Sequence, residues 1–450
     1  MRVANRDFLS RFERLLKAVV GRWASFPRHF VLLERPFRTM PSAAPSRPSL
    51  IRNVHPSVVR ELLDAHARYL KGVPKGRRAV LQYVNLNHYE LDGADLSEAD
   101  LTGALLNSAS LRGAKLSRAT LFGTDLRDCD LRDADLSRCD MRGACLRGAN
   151  LGGANLSNCD LREGVTAVQD EEKGLRILEH SKRPGELDYA MLQGANLNGA
   201  QMSCAFARQA DFTDADLSNV TLQGARLNNA VMDGANLSGA ILHNADLSRV
   251  SLRRAVLAGA DLSGADLTGA DLTEVLRAPP PIIYVDDLPL NEVLEAHELF
   301  CTSEGRQGKV ARVAEVDFRP LRRLKNRRLS GLSAPNAVFF GMDLEGAQLQ
   351  GANLAGADLR GVKLRGADLR GARLVGAQLS RADLSDAKLG PLRIAEDRVI
   401  RTDLTRAALR GANLRGASAP RARFIEADLS GARLDGADLS GAEMPVGAAV

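Results

Sequence analysis

Six cysteines and seven histidines are the side chains of this chain that could hold a metal, carry a redox couple or act as nucleophile and base. Their spacing suits none of those tasks. A zinc or redox site calls for CxxC pairs or clustered histidines, and the sequence has neither. No Ser-His-Asp or paired-carboxylate constellation stands out, and the abundant glycines match no phosphate loop. The sequence therefore predicts no enzyme, no cofactor and no metal. One stretch could bind the phosphate of nucleic acid or lipid. Arg319, Arg322, Arg323, Lys325, Arg327 and Arg328 place six cations in ten residues. It has no interleaved aromatics for stacking on bases, and a solvated loop is the plainer reading.

The elements that carry these residues follow from one pattern. From Leu91 to Leu161 an apolar residue recurs at every fifth position, fourteen Leu and Met141, with a small residue two places before each one after Leu91. On a helix five residues turn about 500°, so such leucines would wander round the cylinder. In a strand an odd period would put successive leucines on opposite faces. The chain must therefore bend once per repeat, with every leucine pointing to one axis. Gly, Asn, Asp and Ser fill the intervening places, as in Gly234-Ala235-Asn236-Leu237-Ser238; these types accept turn geometry. The result is a solenoid. Leu96, Leu131, Leu237, Leu267, Leu359 and Leu369 are core positions, each contributing about 1.5–3 kcal/mol when buried.

The unit Ala-(Asp/Asn)-Leu-X-X, as in Ala94-Asp95-Leu96-Ser97-Glu98, resembles the pentapeptide-repeat family. The resemblance implies an all-β fold, a right-handed, four-sided parallel β-helix with four repeats per coil. Three runs carry the repeat: 79–161, 187–274 and 339–444, with 17, 18 and 22 units in phase. In the third, Ile394 and Val399 keep the phase across the irregular stretch 390–401. Family geometry would stack these units into about 14 coils, roughly 70 Å long at a strand spacing of ~4.8 Å. Cys129, Cys139 and Cys159 fall at the small inward position. The twenty residues between Cys139 and Cys159 would stack them in adjacent coils. Core filler in a reducing cytosol is the expectation; a stacked thiol pair used for redox or metal is the alternative.

Outside the runs the chain divides further. Residues 1–40 hold nine Lys/Arg against three acidic residues, the entire net charge of +6. Within them Phe8, Leu9, Phe12, Leu15, Leu16, Val19, Val20 and Trp23 predict an amphipathic helix. It could lie on a membrane surface, dock a partner or cap the solenoid, or it could precede a true start at Met40. Residues 41–56 form a Pro/Ser-rich linker. Residues 57–78 predict a helical lid, with Ser57 as its cap and Gly72 closing it. A second copy follows the Pro-rich spacer 275–289: Leu62-Leu63-Asp64-Ala65-His66 matches Val293-Leu294-Glu295-Ala296-His297, and Gly76-Arg77-Arg78-Ala79 matches Gly308-Lys309-Val310-Ala311. Residues 290–338 are then a second helical lid, capped by Asn291, with the basic loop. His66 and His297 read as packing or bonding residues at the lids. The insertion 162–186 reads as a short helix or a protruding loop.

For function, the expectation is a non-enzymatic protein-interaction scaffold, cytoplasmic or peripheral to a membrane through residues 1–40. Partner contacts are expected near 163–186 and 319–338, and the uncapped C-terminal coil offers a homodimer interface. The resemblance implies one alternative, since some family members imitate duplex DNA at gyrase and confer quinolone resistance. A ~70 Å imitation would need on the order of 40 negative charges. The repeat runs (the second counted from 190) hold acidic against basic residues 12 to 8, 9 to 5 and 14 to 16. Nucleic acid is not the expected partner, since the chain beyond residue 40 is neutral and its basic stretch lacks aromatics, and outward Arg and Asp such as Arg127, Asp128, Asp130, Arg132, Asp133 and Asp135 read as local ion pairs.

Overall fold

The backbone donors of a repeat are shared between the neighbouring coils and the repeat itself, and that division explains its consensus. In the repeat Asp95 to Ala99 of the computed structural model, which describes residues 51–170, 174–279 and 281–445, the Leu96 N–H donates to Lys115 O and the Glu98 N–H to Ser117 O. Both acceptors lie one coil ahead. Ala99 N–H closes a tight turn on Leu96 O, and Asp100 N–H reaches back to Ala79 O. The fifth donor, Ser97 N–H, goes to Asp95 Oδ1 at 3.2 Å. An Asp or Asn before the leucine therefore supplies the acceptor that the coils do not. The third turn residue is left-handed (φ +63° at Glu98, +65° at Gly93), which is why Gly, Asn and Asp collect there.

Parallel bridges join residues twenty apart in four columns, beginning Val80 to Asp100, Asn85 to Leu105, Glu90 to Ser110 and Asp95 to Lys115. Four sides of five residues make one coil. The inward Leu and Ala are almost completely buried, with rings such as Phe212, Phe318, Phe339 and Phe424 taken into the same core.

The ladders form two stacks rather than three runs. Cys145 bridges to Glu186 and Asn150 to Met191, so the first two runs are one stack from Val80 to Leu276. The insertion between them leaves the coil as an antiparallel hairpin, β1 (Gly164–Asp170) with β2 (Gly174–Arg183). It is not a helix; the β-branched Val165, Thr166 and Val168 favour strand. The second stack starts at Arg312, which bridges to Ser333, followed by Asp317 to Val338 and Arg323 to Asp343. The expected basic loop is thus the first coil of this stack. One extra residue is absorbed by a 3-10 turn at Arg319–Leu321. Near the other end Arg373 bridges to Asp403, thirty residues on. Ten residues are extruded there, and Ile394 and Val399 are exposed instead of holding the core phase.

Helix α1 (Pro56–Leu70) precedes the first stack and α2 (Leu290–Thr302) the second. The α1 cap is His55, whose Nδ1 accepts from Ser57 N–H at 3.3 Å; Pro56 opens the helix one residue before the expected cap. In α2 the cap position is Pro289, with no side-chain bond, so Asn291 does not cap either. Gly72 does close α1: at φ +64° its N–H donates to Tyr69 O while Val73 N–H donates to Arg68 O. Ahead of α2, β3 (Tyr284–Val285) and β4 (Leu288–Pro289) pair across Asp286-Asp287, both left-handed.

The duplicated segments have duplicated geometry. His66 Nδ1 accepts from Ala79 N–H and His297 Nδ1 from Ala311 N–H, both at 3.1 Å with the rings fully buried. Gly76 and Gly308 lie so close to the helix that a Cβ would stand 2.4 Å from Tyr69 N and 2.1 Å from Ala296 O. Each glycine lets the chain pass against its own helix before the first coil.

Candidate functional site

The six cations of residues 319–328 are spread over one coil and do not form a single patch. Arg319 folds back on Asp317 (Nη2–Oδ2 2.6 Å), Lys325 pairs with Glu345 one coil ahead (2.5 Å), and Arg327 pairs with Glu298 of α2 (2.7 Å). The Arg328 N–H also donates to Glu298 Oε1 at 3.0 Å, so this carboxylate ties α2 to the coil. Arg322, Arg323 and Arg328 are exposed, with no carboxylate within ion-pair distance among the described residues.

Leu96, Leu131, Leu237, Leu359 and Leu369 are fully buried. Leu267 is half-buried because its coil ends the first stack and has no following neighbour. Cys139 and Cys159 sit in adjacent coils, flanked by the bridge from Asp140 to Asp160. The Cys129 and Cys139 thiols donate to Leu106 O and Leu116 O, and burial pushes both up to about 12. A thiol so held is not a thiolate nucleophile. No group of three or more potential metal ligands occurs among the described residues.

The outward Asp and Arg two residues apart pair locally. Arg127, Arg142 and Arg162 each clamp the Asp two residues before them through Nε and Nη2. Arg132 does the same to Asp130 and holds that carboxyl below the usual range.

A polar cleft between the two stacks is the one feature of this kind that sequence reasoning missed. The stacks meet corner to corner and run in opposite directions, since Gly234, Asp214 and Gly194 of the first meet Arg360, Ser380 and Arg410 of the second. Arg360 Nη1 donates to Gly234 O (2.8 Å), Arg381 Nη2 to Asp216 Oδ2 (3.1 Å), and Arg410 lies 3.6 Å from Asp214. Beyond these contacts the corners diverge around a cleft of about 1030 Å³. Arg132, Asn150 and Gln193 line one wall; Arg410, Asn413 and Arg433 line the other. The residues that meet are 126 to 216 positions apart and occupy outward places where the repeat accepts any polar type. No local pattern marks them.

The parallel ladder of twenty-residue coils and the repeat that builds it decide the family. The sequence profile described as Pentapeptide repeats matches within residues 77–163, 187–274, 326–390 and 402–441. The chain belongs to the pentapeptide-repeat family. The four columns of parallel bridges in each stack are those of a quadrilateral β-helix. Among solved structures it is similar to HetL, a pentapeptide-repeat protein involved in heterocyst differentiation regulation in the cyanobacterium Nostoc. Identity there is 33%, over 44% of this chain and 78% of that one, with a TM-score of 0.29. Rfr23 from the cyanobacterium Cyanothece is 27% identical over 29% of this chain and 91% of its own, TM-score 0.22. QnrB1, a plasmid-mediated fluoroquinolone resistance protein, is 19% identical over 45% and 90%, TM-score 0.23. A comparison with curated proteins found no match.

Proposed function

We propose that this pentapeptide-repeat protein is a non-enzymatic scaffold that recognises a protein partner through the segments that leave its coils. The observation that carries this reading is the pair of excursions, β1–β2 and the loop 391–400. Both stand out from stacks whose own polar groups are largely paired, and the ladder resumes beyond each in the same columns. Helices α1 and α2 serve as lids, blocking edge-to-edge pairing at the start of each stack. The last coil, with Leu429, Leu434, Leu439 and Met444 only partly buried, is the surface for a homodimer.

Imitation of DNA at gyrase is the weaker reading, because acidic residues such as Asp125, Asp140 and Asp160 are clamped by arginines two residues on. Membrane attachment would fall to residues 1–40, which lie outside the described residues; no described helix is long and apolar enough to cross a membrane.

The test is a pull-down of the full chain from detergent-solubilised host cells, beside variants lacking 164–184 or 391–400. A stoichiometric protein held by the full chain and lost from either deletion is the expected result. Retention by both deletions would refute the role of the excursions, and gyrase subunits among the captured proteins would restore the DNA-mimic reading. Unchanged membrane partitioning after removal of residues 1–40 would end the membrane alternative.

A further inference from the structure

The apolar cores of the two stacks are separate clusters, one running from Val54 to Val275 and the other from Ile283 to Met444. The chain between them passes through exposed Arg277, Ala278, Pro281 and Ile282. The side-chain bonds across the stack-to-stack contact are polar. Arg360 and Arg381 reach the carbonyls of Gly234 and Ala195 (2.8 and 3.3 Å), Arg381 pairs with Asp216, and Asp214 faces Arg410 and the Ser380 hydroxyl (3.3 Å). These groups are also dehydrated. Burial pushes the Asp214 carboxyl up from its ordinary value despite Arg410 and Arg360, and pushes the Arg381 guanidinium down. Closing the contact strips water from charges that their partners compensate only in part. Two rigid bodies with independent cores, one polar contact and an exposed connection can separate without unfolding.

We infer that the two stacks are jaws, which part and close as rigid bodies about the exposed connection at Arg277, Ala278, Pro281 and Ile282, with the cluster of Asp214, Asp216, Arg360, Arg381 and Arg410 as the latch. Closed, the jaws bound the cleft between Arg132 and Arg433. Open, they free the corners around residues 193–236 and 340–411 to face a partner.

The latch residues Arg381 and Arg410 are suited to a test, because Arg381 makes its side-chain bonds to the opposite stack and both point away from the cores. Nitroxide labels on Arg138→Cys and Asp435→Cys, in full-length protein carrying Cys204→Ser, report the jaw separation by pulsed electron resonance. The unaltered latch should give mainly the short distance. Hydrogen bonds to charged groups contribute enough that Arg381→Gln with Arg410→Gln should raise the ratio of long to short distances at least tenfold. The circular dichroism and melting of both stacks should stay as they were. An unchanged distance distribution overturns the inference. So does a loss of β-signal or of melting temperature, since the contact would then belong to the folding of the stacks.

Discussion

Replacing Leu131 separates the inward from the outward side of the coil in one comparison with its neighbour Arg132. Leu131 is fully buried, and its N–H donates to Asn150 O in the next coil. Leu131→Ala would remove the apolar contacts of that side chain and leave a cavity between Leu111 and Leu151, which hold the same register in the flanking coils. The loss for such a truncation is about 2–5 kcal/mol. Leu131→Asp adds an unpaired carboxyl with nowhere to hydrate, so it should cost several kcal/mol beyond that. Arg132 instead has a side chain 43% exposed and pairs only with its own Asp130. Arg132→Ser should change stability by between nothing and ~1 kcal/mol. Coils contact only their neighbours, so the damage should stay local and break the first stack at one point. Urea unfolding followed by circular dichroism should shift far to lower denaturant for Leu131→Asp and split into two steps, while Arg132→Ser overlays the parent. Equal tolerance of the two changes would refute the inward assignment, and a large loss for both would mean that the Arg132–Asp130 clamp has been undervalued.

The buried histidines give a pH dependence. Burial lowers both His66 and His297 below 6.5, so the unfolded chain binds their protons first. Their contribution is complete above about 6.5 and declines as pH falls through that value towards the folded ones; melting temperatures from pH 8 to pH 5 should show it, and His66→Gln with His297→Gln should flatten the curve. Thiol titration of the native protein should label exposed Cys204 quickly, with Cys129, Cys139 and Cys159 reacting only after denaturant is added. Deleting residues 391–400 should leave the second stack folded with its melting temperature changed by a few degrees at most, because Gly390 would then run into Arg401 and restore a five-residue unit.

The legible part of this fold was whatever repeats. Phase alone places Leu131 or Leu359 inside, and the match of His66-Ala79 with His297-Ala311 marks a bond made twice. Excursions were harder, for a physical reason. The loop 391–400 is ten residues long, a multiple of the repeat, so Ile394 and Val399 fall in phase while standing outside the core. The opposite arithmetic hid the continuity of the first stack: the bridge from Cys145 to Glu186 spans forty-one residues instead of twenty, so the twenty-one extra ones shift the phase by one. The basic stretch looks like a loop in sequence because its consensus is weak, yet Leu324 and Leu329 are enough to hold a coil. The cleft was invisible: a contact between two surfaces depends on which outward residues meet, and the repeat leaves those unconstrained.

The bridges between coils also set how the chain would yield to force. Each coil is held to the next by parallel bridges twenty residues apart, so a stack pulled from its ends has no single clasp to break. It should peel one coil at a time, each release adding about 70 Å of extended chain. Two releases should be longer: the coil that carries β1 and β2 lets go of forty-one residues at once, and the coil that carries 391–400 lets go of thirty. The excursions would then appear in a force trace as two irregular intervals in an otherwise even ruler.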